Sequence, residues 1–192
     1  MTGGPNRGTR PVSAAGGSRR GAAFAVATAL SLLVWVVLSV ANAPLRTAAA
    51  PAGIISFELA GTAARATEIV AGWGPPQREA AAFGLGLDFL FLFLYPVAIS
   101  LGARLVADRL APRFPRLALT GIGLSLALPL CVALDAAENA ALWRILQLGA
   151  TDGLARFAMV AATVKFSLVA LGLAYTLGGW FVARFAARSR AA

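Results

Sequence analysis

Four ionisable residues interrupt long apolar stretches of this sequence, and their positions predict that they meet. They are Asp88, Asp135, Glu138 and Lys165. A charge at the centre of a membrane helix costs about 2.5–3.5 kcal/mol on insertion scales, so such residues usually face one another or a cavity. A carboxyl group in that setting can relay protons, bind a cation or protonate a double bond.

Helical spacing predicts that these side chains form one polar cluster. Asp135, Glu138 and Asn139 stand at i, i+3 and i+4, which places them on one face of a helix. Lys165 supplies a single cation and is expected to pair with a carboxylate. Glu58 precedes the second apolar stretch and is predicted to point toward whatever its own segment covers. The candidate ligand-binding residues are Asp88, Asp135, Glu138, Asn139, Lys165 and Glu58.

The composition indicates an integral membrane protein. Of the 192 residues, 59% are hydrophobic and 13% are charged, whereas charged residues make up about a quarter of a typical soluble protein. The net charge of +9 comes mostly from arginines that bracket the apolar stretches. Because no nucleic-acid-binding motif accompanies this charge, we expect contacts with anionic lipid headgroups and no nucleic-acid partner.

The sequence offers little to a metal ion or a redox group. Cys131 is the only cysteine and histidine is absent, so an intrachain disulfide and a cysteine-based metal cluster are excluded. The commonest metal ligand and the commonest general base are both missing. We therefore predict no metal site and no cofactor, and no residue stands out as catalytic.

Four apolar stretches are long enough to cross about 30 Å of hydrocarbon as helices. The sequence predicts an all-α fold, an integral membrane bundle of four transmembrane helices in one domain over residues 21–183. The third helix is expected to continue to about Leu148, and residues 1–20 and 184–192 are predicted to be cytoplasmic tails, the first of them disordered. The predicted spans are about 21–43, 82–105, 117–140 and 157–182.

A cleavable signal peptide is the alternative interpretation of the first span. Arg19 and Arg20 precede its apolar run, and the run ends in Ala41-Asn42-Ala43, which resembles a cleavage site. The stretch is longer than the roughly 7–15 residues of a signal-peptide core, and Pro44 directly follows the site. Both features favour a retained helix, and either way residues 44–81 form an external segment.

The external segment is predicted to contain a short amphipathic helix. Thr62 is a suitable N-cap, Gly72 or Gly74 ends the helix, and Ile69 shares an apolar face with Trp73. Three tryptophans near span ends are expected to act as interfacial anchors; they are Trp73, Trp143 and Trp180.

Two prolines lie inside predicted spans. Pro96 and Pro129 each remove a backbone N–H and free a carbonyl one turn earlier, at Leu92 and Ser125. We expect kinks at both positions, either with an associated cavity or as fixed bends.

The arginines predict how the bundle is oriented. Eleven lie in the tails, at the end of the second span or in its connection to the third, and five lie in the other connections. Positive residues accumulate on the cytoplasmic side of membrane proteins. The sequence thus predicts a multi-pass protein of the bacterial inner membrane with both termini in the cytoplasm.

Several short stretches resemble a family of small, uncharacterised bacterial membrane proteins with four helices. The similarity runs from about residue 53 to residue 180 and implies location and architecture, with no reaction attached. The stretches are Phe57-Glu58-Leu59-Ala60, Ile69-Val70-Ala71-Gly72-Trp73, Leu87-Asp88-Phe89, Asp135-Ala136-Ala137-Glu138-Asn139 and Lys165-Phe166.

Three functions are compatible with these features. The first is binding of a small or lipid-like ligand in a polar pocket of the outer leaflet. The second is acid–base catalysis on an isoprenoid or another lipid substrate, with a protonated carboxyl as the acid. The third is an accessory subunit of a membrane complex, and a homo-oligomer is also left open. A satisfied polar network that only fixes helix register is the structural alternative for the cluster.

Overall fold

Every regular element in residues 12–188, the part of the chain that the computed structural model describes, is helical. This confirms the all-α prediction. The elements are α1 (Val12–Asn42), a 3-10 turn (Ala43–Leu45), α2 (Ile54–Glu58), α3 (Ala63–Ala71), α4 (Pro75–Leu110), α5 (Pro115–Ala127), α6 (Leu130–Leu148) and α7 (Asp152–Arg188).

Four helical stretches are long and apolar enough to cross a membrane, which indicates a multi-pass membrane protein. Each extends past at least one boundary drawn from the sequence, because hydropathy marks the apolar centre of a helix and misses its polar ends. The stretches are Arg19–Leu45, Pro75–Leu110, Pro115–Leu148 and Asp152–Phe185.

Two helices begin in segments that the sequence placed outside the spans. Residues 12–20 belong to α1, although the sequence placed them in a disordered tail; residues 1–11 of that tail and residues 189–192 lie outside the described part of the chain. Helix α4 begins at Pro75, seven residues before the predicted start of the second span at residue 82. Proline is favoured in the first turn of a helix, where its missing N–H has no intrahelical partner.

Helix α4 occupies the centre of the bundle and contacts α1, α5, α6 and α7. Helix α1 packs mainly against α4, and only 17% of its apolar window is buried, against 39% for α4. The first of the four stretches is thus the least buried within the bundle.

The two internal prolines have different outcomes. Pro129 separates α5 from α6, whereas α4 continues through Pro96 without a break. The carbonyl of Ser125, freed by Pro129, accepts a hydrogen bond from Ser100 Oγ at 2.9 Å. Serine side chains on neighbouring helices commonly satisfy such freed groups in membranes.

Glycines allow α7 to approach α4 closely. A Cβ at Gly179 would lie 2.5 Å from Cγ1 of Val106, a buried residue of α4, whereas a Cβ at Gly178 would meet no atom within 4 Å. Small residues at such crossings let helix backbones come together in a bilayer.

Replacing each of these neighbouring glycines by alanine should therefore have opposite effects. Gly179→Ala should destabilise the bundle, because overpacking typically costs about 1–3 kcal/mol. Gly178→Ala should be neutral or slightly stabilising, because alanine is about 1 kcal/mol better than glycine within a helix. Thermal unfolding in detergent measures both, and equal midpoints for the two variants would contradict the close approach.

A cap covers one end of the bundle. Helix α3 begins at Thr62, whose hydroxyl accepts a hydrogen bond from Arg65 N at 3.2 Å, and ends at Gly72, both as predicted. The backbone N–H of Ala63 donates to Asp152 Oδ1 at 2.7 Å, which ties α3 to the start of α7. Helices α2 and α3 both contact α7. We call residues 44–74 the cap.

Trp73 is part of the hydrophobic core, which differs from its predicted role as an interfacial anchor. It is 1% exposed, its ring packs edge-to-face on Phe57 with centroids 5.4 Å apart, and its Nε1 donates to Leu45 O at 3.0 Å. The cap folds back over the tryptophan, so the ring is buried beneath protein.

Candidate functional site

The centre of the site is a buried ion-pair triad on α6 and α7. Lys165 Nζ lies 2.7 Å from Asp135 Oδ1 and 2.8 Å from Glu138 Oε2. Lys165 is 5% exposed, Asp135 is 2% exposed and Glu138 is fully buried. The helical spacing predicted from the sequence is what brings both carboxylates to one lysine.

Helix α4 adds two side chains beside this triad. Tyr95 of α4 donates its hydroxyl to Asp135 Oδ2 at 2.9 Å. One turn further along α6, Asn139 Nδ2 donates to Asp88 Oδ2 on α4 at 2.7 Å. Hydrogen bonds between helices are stabilising in lipid, where an unpaired polar group has no water to replace its partner. The structure therefore brings all five residues predicted for the spans together as two neighbouring bonded sets, Asp135–Lys165–Glu138 with Tyr95 and Asp88 with Asn139.

Sequence reasoning did not include Tyr95 among the site residues. Tyr95 follows Asp88 by seven residues, or about two helical turns, so both lie on the same face of α4. That spacing was visible in the sequence. The spacing does not show that the tyrosine hydroxyl donates to Asp135, a residue of a different helix.

Glu58 approaches the cluster from the cap. Its Oε2 is buried and has no hydrogen-bond partner among the described residues. Burial raises the pKa of the Glu58 carboxyl group, the positive charge of Lys165 partly lowers that pKa, and Asp135 raises it further. The carboxyl group thus faces the cluster, in the direction predicted for it, and tends to hold its proton.

The raised pKa of Glu58 predicts how the stability of the cap depends on pH. The folded state binds this proton more tightly than the unfolded chain, so the free energy of unfolding falls as the pH rises above the ordinary pKa of glutamate. Glu58→Gln removes the titration. The variant should match wild type in acid and become the more stable of the two as the pH rises toward neutrality.

Hydrogen exchange of residues 44–74 across a pH series measures this difference. Glu79→Gln is the matched control, because Glu79 is an exposed glutamate near the start of α4. A Glu58→Gln profile parallel to wild type at every pH would contradict a buried, proton-holding Glu58.

The triad itself is closed to the outside, and the site opens at its Asn139 edge. A cleft of about 420 Å³ separates α4 from α6, which is within the ~300–1,000 Å³ range of small-molecule sites. Asn139 and Arg144, five residues apart on α6, are the polar residues of its lining, and we call them its two polar margins. The cleft is lined by Leu85, Gly86, Phe89, Asn139, Ala140, Trp143 and Arg144.

The cleft faces the side of the bundle where lipid would lie. Phe89 and Trp143 are each 45% exposed, and a Cβ built on Gly86 would meet no other atom within 4 Å. Apart from Asn139 and Arg144, the lining side chains are apolar or, at Gly86, absent. An apolar molecule with a polar end could therefore enter sideways from a bilayer.

A metal centre receives no support from the side chains. Among residues 12–188, no group of three or more histidine, cysteine, aspartate or glutamate side chains is arranged to hold a metal ion. Lys165 occupies the space between Asp135 and Glu138, where it already neutralises part of their charge. Both carboxylates thus pair with the same ammonium group, Asp135 also accepts from the Tyr95 hydroxyl, and Glu138 Oε1 is buried without a hydrogen-bond partner among the described residues.

Comparisons with protein families, with curated proteins and with solved structures return no match to this chain. Function is therefore inferred from the geometry of the site alone.

Proposed function

We propose that this multi-pass membrane protein binds a lipid-like ligand in the α4–α6 cleft, with the ligand's polar end at the Asn139 edge of the buried cluster. The observation that carries the proposal is the cleft itself. It reaches from the exposed face of α4 and α6 to Asn139, at the edge of the buried polar cluster. The apolar walls suit a hydrocarbon chain, and the amide of Asn139 supplies a polar anchor.

The remainder of the cluster would position this anchor. Asn139 is 2% exposed and its Nδ2 is held by Asp88. Its neighbour along α6, Glu138, is fixed by Lys165. A side chain whose own contacts are fixed loses little conformational freedom when it binds a ligand, which favours affinity.

A steric block of the cleft tests the proposal without touching any charge. Gly86→Leu places a side chain in the open space between α4 and α6, and leucine is a better helix former than glycine. The fold should therefore persist. We expect native mass spectrometry to show a lipid that co-purifies with wild type and is lost from Gly86→Leu.

Gly178→Leu is the matched control, because Gly178 is also an exposed helical glycine with free space around it, yet lies far along α7. That variant should retain the lipid. Retention by both variants, or absence of any bound lipid from wild type in mild detergent, would contradict the proposal.

The orientation proposed for the protein places the cap outside and the arginine-rich end in the cytoplasm of a bacterium. Arg20 and Arg104, which both pair with Asp108, mark the end opposite the cap. Cys131 is the only cysteine of the sequence, so Cys131→Ser gives a cysteine-free background into which single cysteines can be introduced. A membrane-impermeant thiol reagent applied to intact cells should label Ala48→Cys in the cap and leave Ala111→Cys unlabelled; the reverse pattern would overturn the orientation.

Acid–base catalysis on an isoprenoid or another lipid is the second candidate, and the Glu58 carboxyl group favours it. A buried carboxyl with a raised pKa keeps its proton to a higher pH than an ordinary glutamate, so it is available as a general acid. Turnover of an isoprenoid substrate by purified wild type, lost in Glu58→Gln, would favour this candidate. A binding protein would show no turnover at any pH.

A further inference from the structure

The α4–α6 cleft has a charged margin that the polar cluster does not explain. Arg144 of α6 is exposed at the rim and has no ion-pair or hydrogen-bond partner among the residues that the structure describes. It stands four residues before the end of α6, on the capped side of the bundle. An arginine near a helix end can reach the headgroup region of a bilayer.

The two polar margins of the cleft lie at different depths. Arg144 follows Asn139 by five residues, which separates their backbones by about 7.5 Å along the helix axis. The guanidinium therefore lies nearer the membrane surface, and the amide lies deeper. Phe89 of α4 and Trp143 of α6 line the same cleft, and both are exposed.

Charge complementarity identifies the occupant of the outer margin. A guanidinium group presents N–H donors in a fork that matches the oxygens of a phosphate. The Asp88 carboxyl group accepts a hydrogen bond from Asn139 at the deeper margin. The separation along α6 keeps a phosphate at Arg144 away from that carboxyl group.

We propose that the ligand of the cleft is an anionic phospholipid, with its phosphate on Arg144, its glycerol region near Asn139 and an acyl chain against Phe89 and Trp143. This rests on the proposed function and names the ligand class for the same site. The deeper amide suits the ester oxygens of such a lipid, which accept hydrogen bonds one layer below the phosphate.

The test uses delipidated full-length protein in detergent and three probes: phosphatidylglycerol, a diacylglycerol with the same chains, and inorganic phosphate. Native mass spectrometry measures binding to wild type, to Arg144→Gln and to Arg156→Gln. Arg156 is the matched control, because it is an exposed arginine on the capped half of α7 that does not line the cleft.

Wild type and Arg156→Gln should bind phosphatidylglycerol at least tenfold more tightly than diacylglycerol, and Arg144→Gln should lose that preference. Inorganic phosphate alone should not bind, since it lacks the chain. Equal binding of both lipids by wild type, or an unchanged preference in Arg144→Gln, would contradict the proposal that the ligand is anionic. Neither result would contradict lipid binding itself. If neither lipid binds wild type, both the anionic ligand and the proposed lipid-binding function are contradicted.

Discussion

Lys165→Met should be among the most destabilising single substitutions in the protein. The lysine lies between Asp135 and Glu138 at 2.7 and 2.8 Å, and all three side chains are buried. Its loss leaves two carboxylates together without a cation, and breaking a buried ion pair in this way typically costs about 3–5 kcal/mol. Thermal unfolding in detergent should show a large fall in the midpoint.

Two further variants separate the loss of charge from the loss of packing. Arg156→Met removes an exposed cation from the same helix and should leave the midpoint nearly unchanged, as is usual for surface charges. Adding Asp135→Asn to Lys165→Met removes one of the stranded charges and should recover part of the stability. If Lys165→Met is as stable as Arg156→Met, the triad does not hold the bundle together.

Trp73→Ala should destabilise the cap. The side chain is 1% exposed, contacts Phe57 and donates its Nε1 hydrogen to Leu45 O. Truncating a buried tryptophan to alanine typically costs about 3–5 kcal/mol. Because the ring lies between segments of the cap, hydrogen exchange should accelerate across residues 44–74 more than across the centre of α4.

Trp143→Ala is the matched control for this effect, because Trp143 is 45% exposed and lies outside the cap. Its exchange in residues 44–74 should resemble wild type. Trp73→Phe retains most of the ring while removing the hydrogen bond to Leu45, and should have an intermediate effect. Unchanged cap exchange in Trp73→Ala would contradict the role assigned to this residue.

Hydropathy and helical spacing predict much of the fold and most of the cluster. Lipid requires apolar helices, so the four spans follow directly from runs of apolar residues. Within those runs a charged residue has few acceptable surroundings, which is why Asp135, Glu138 and Lys165 could be expected to meet. The resemblance to a bacterial membrane family stays a prediction.

Tertiary packing decides what the sequence does not reveal. Trp73 has the position of an interfacial anchor in the sequence, yet the cap folds over it and makes it core. Pro96 and Pro129 look alike in the sequence, yet only Pro129 interrupts a helix. The cleft is lined by residues of both α4 and α6, with free space around Gly86. The sequence pattern of a single helix cannot predict such a space between two helices.

Photo-crosslinking from within the cleft tests the central claim most directly. A photoreactive amino acid replaces Ala140, an exposed residue of the cleft wall, and in a separate variant replaces Val160, which is 52% exposed on α7 and outside the cleft. After irradiation in native membranes, mass spectrometry of the adducts identifies what lies beside each position. Lipid binding in the cleft predicts one enriched lipid species at position 140 and a mixture that mirrors the bulk membrane at position 160; the same bulk mixture at both positions would contradict it.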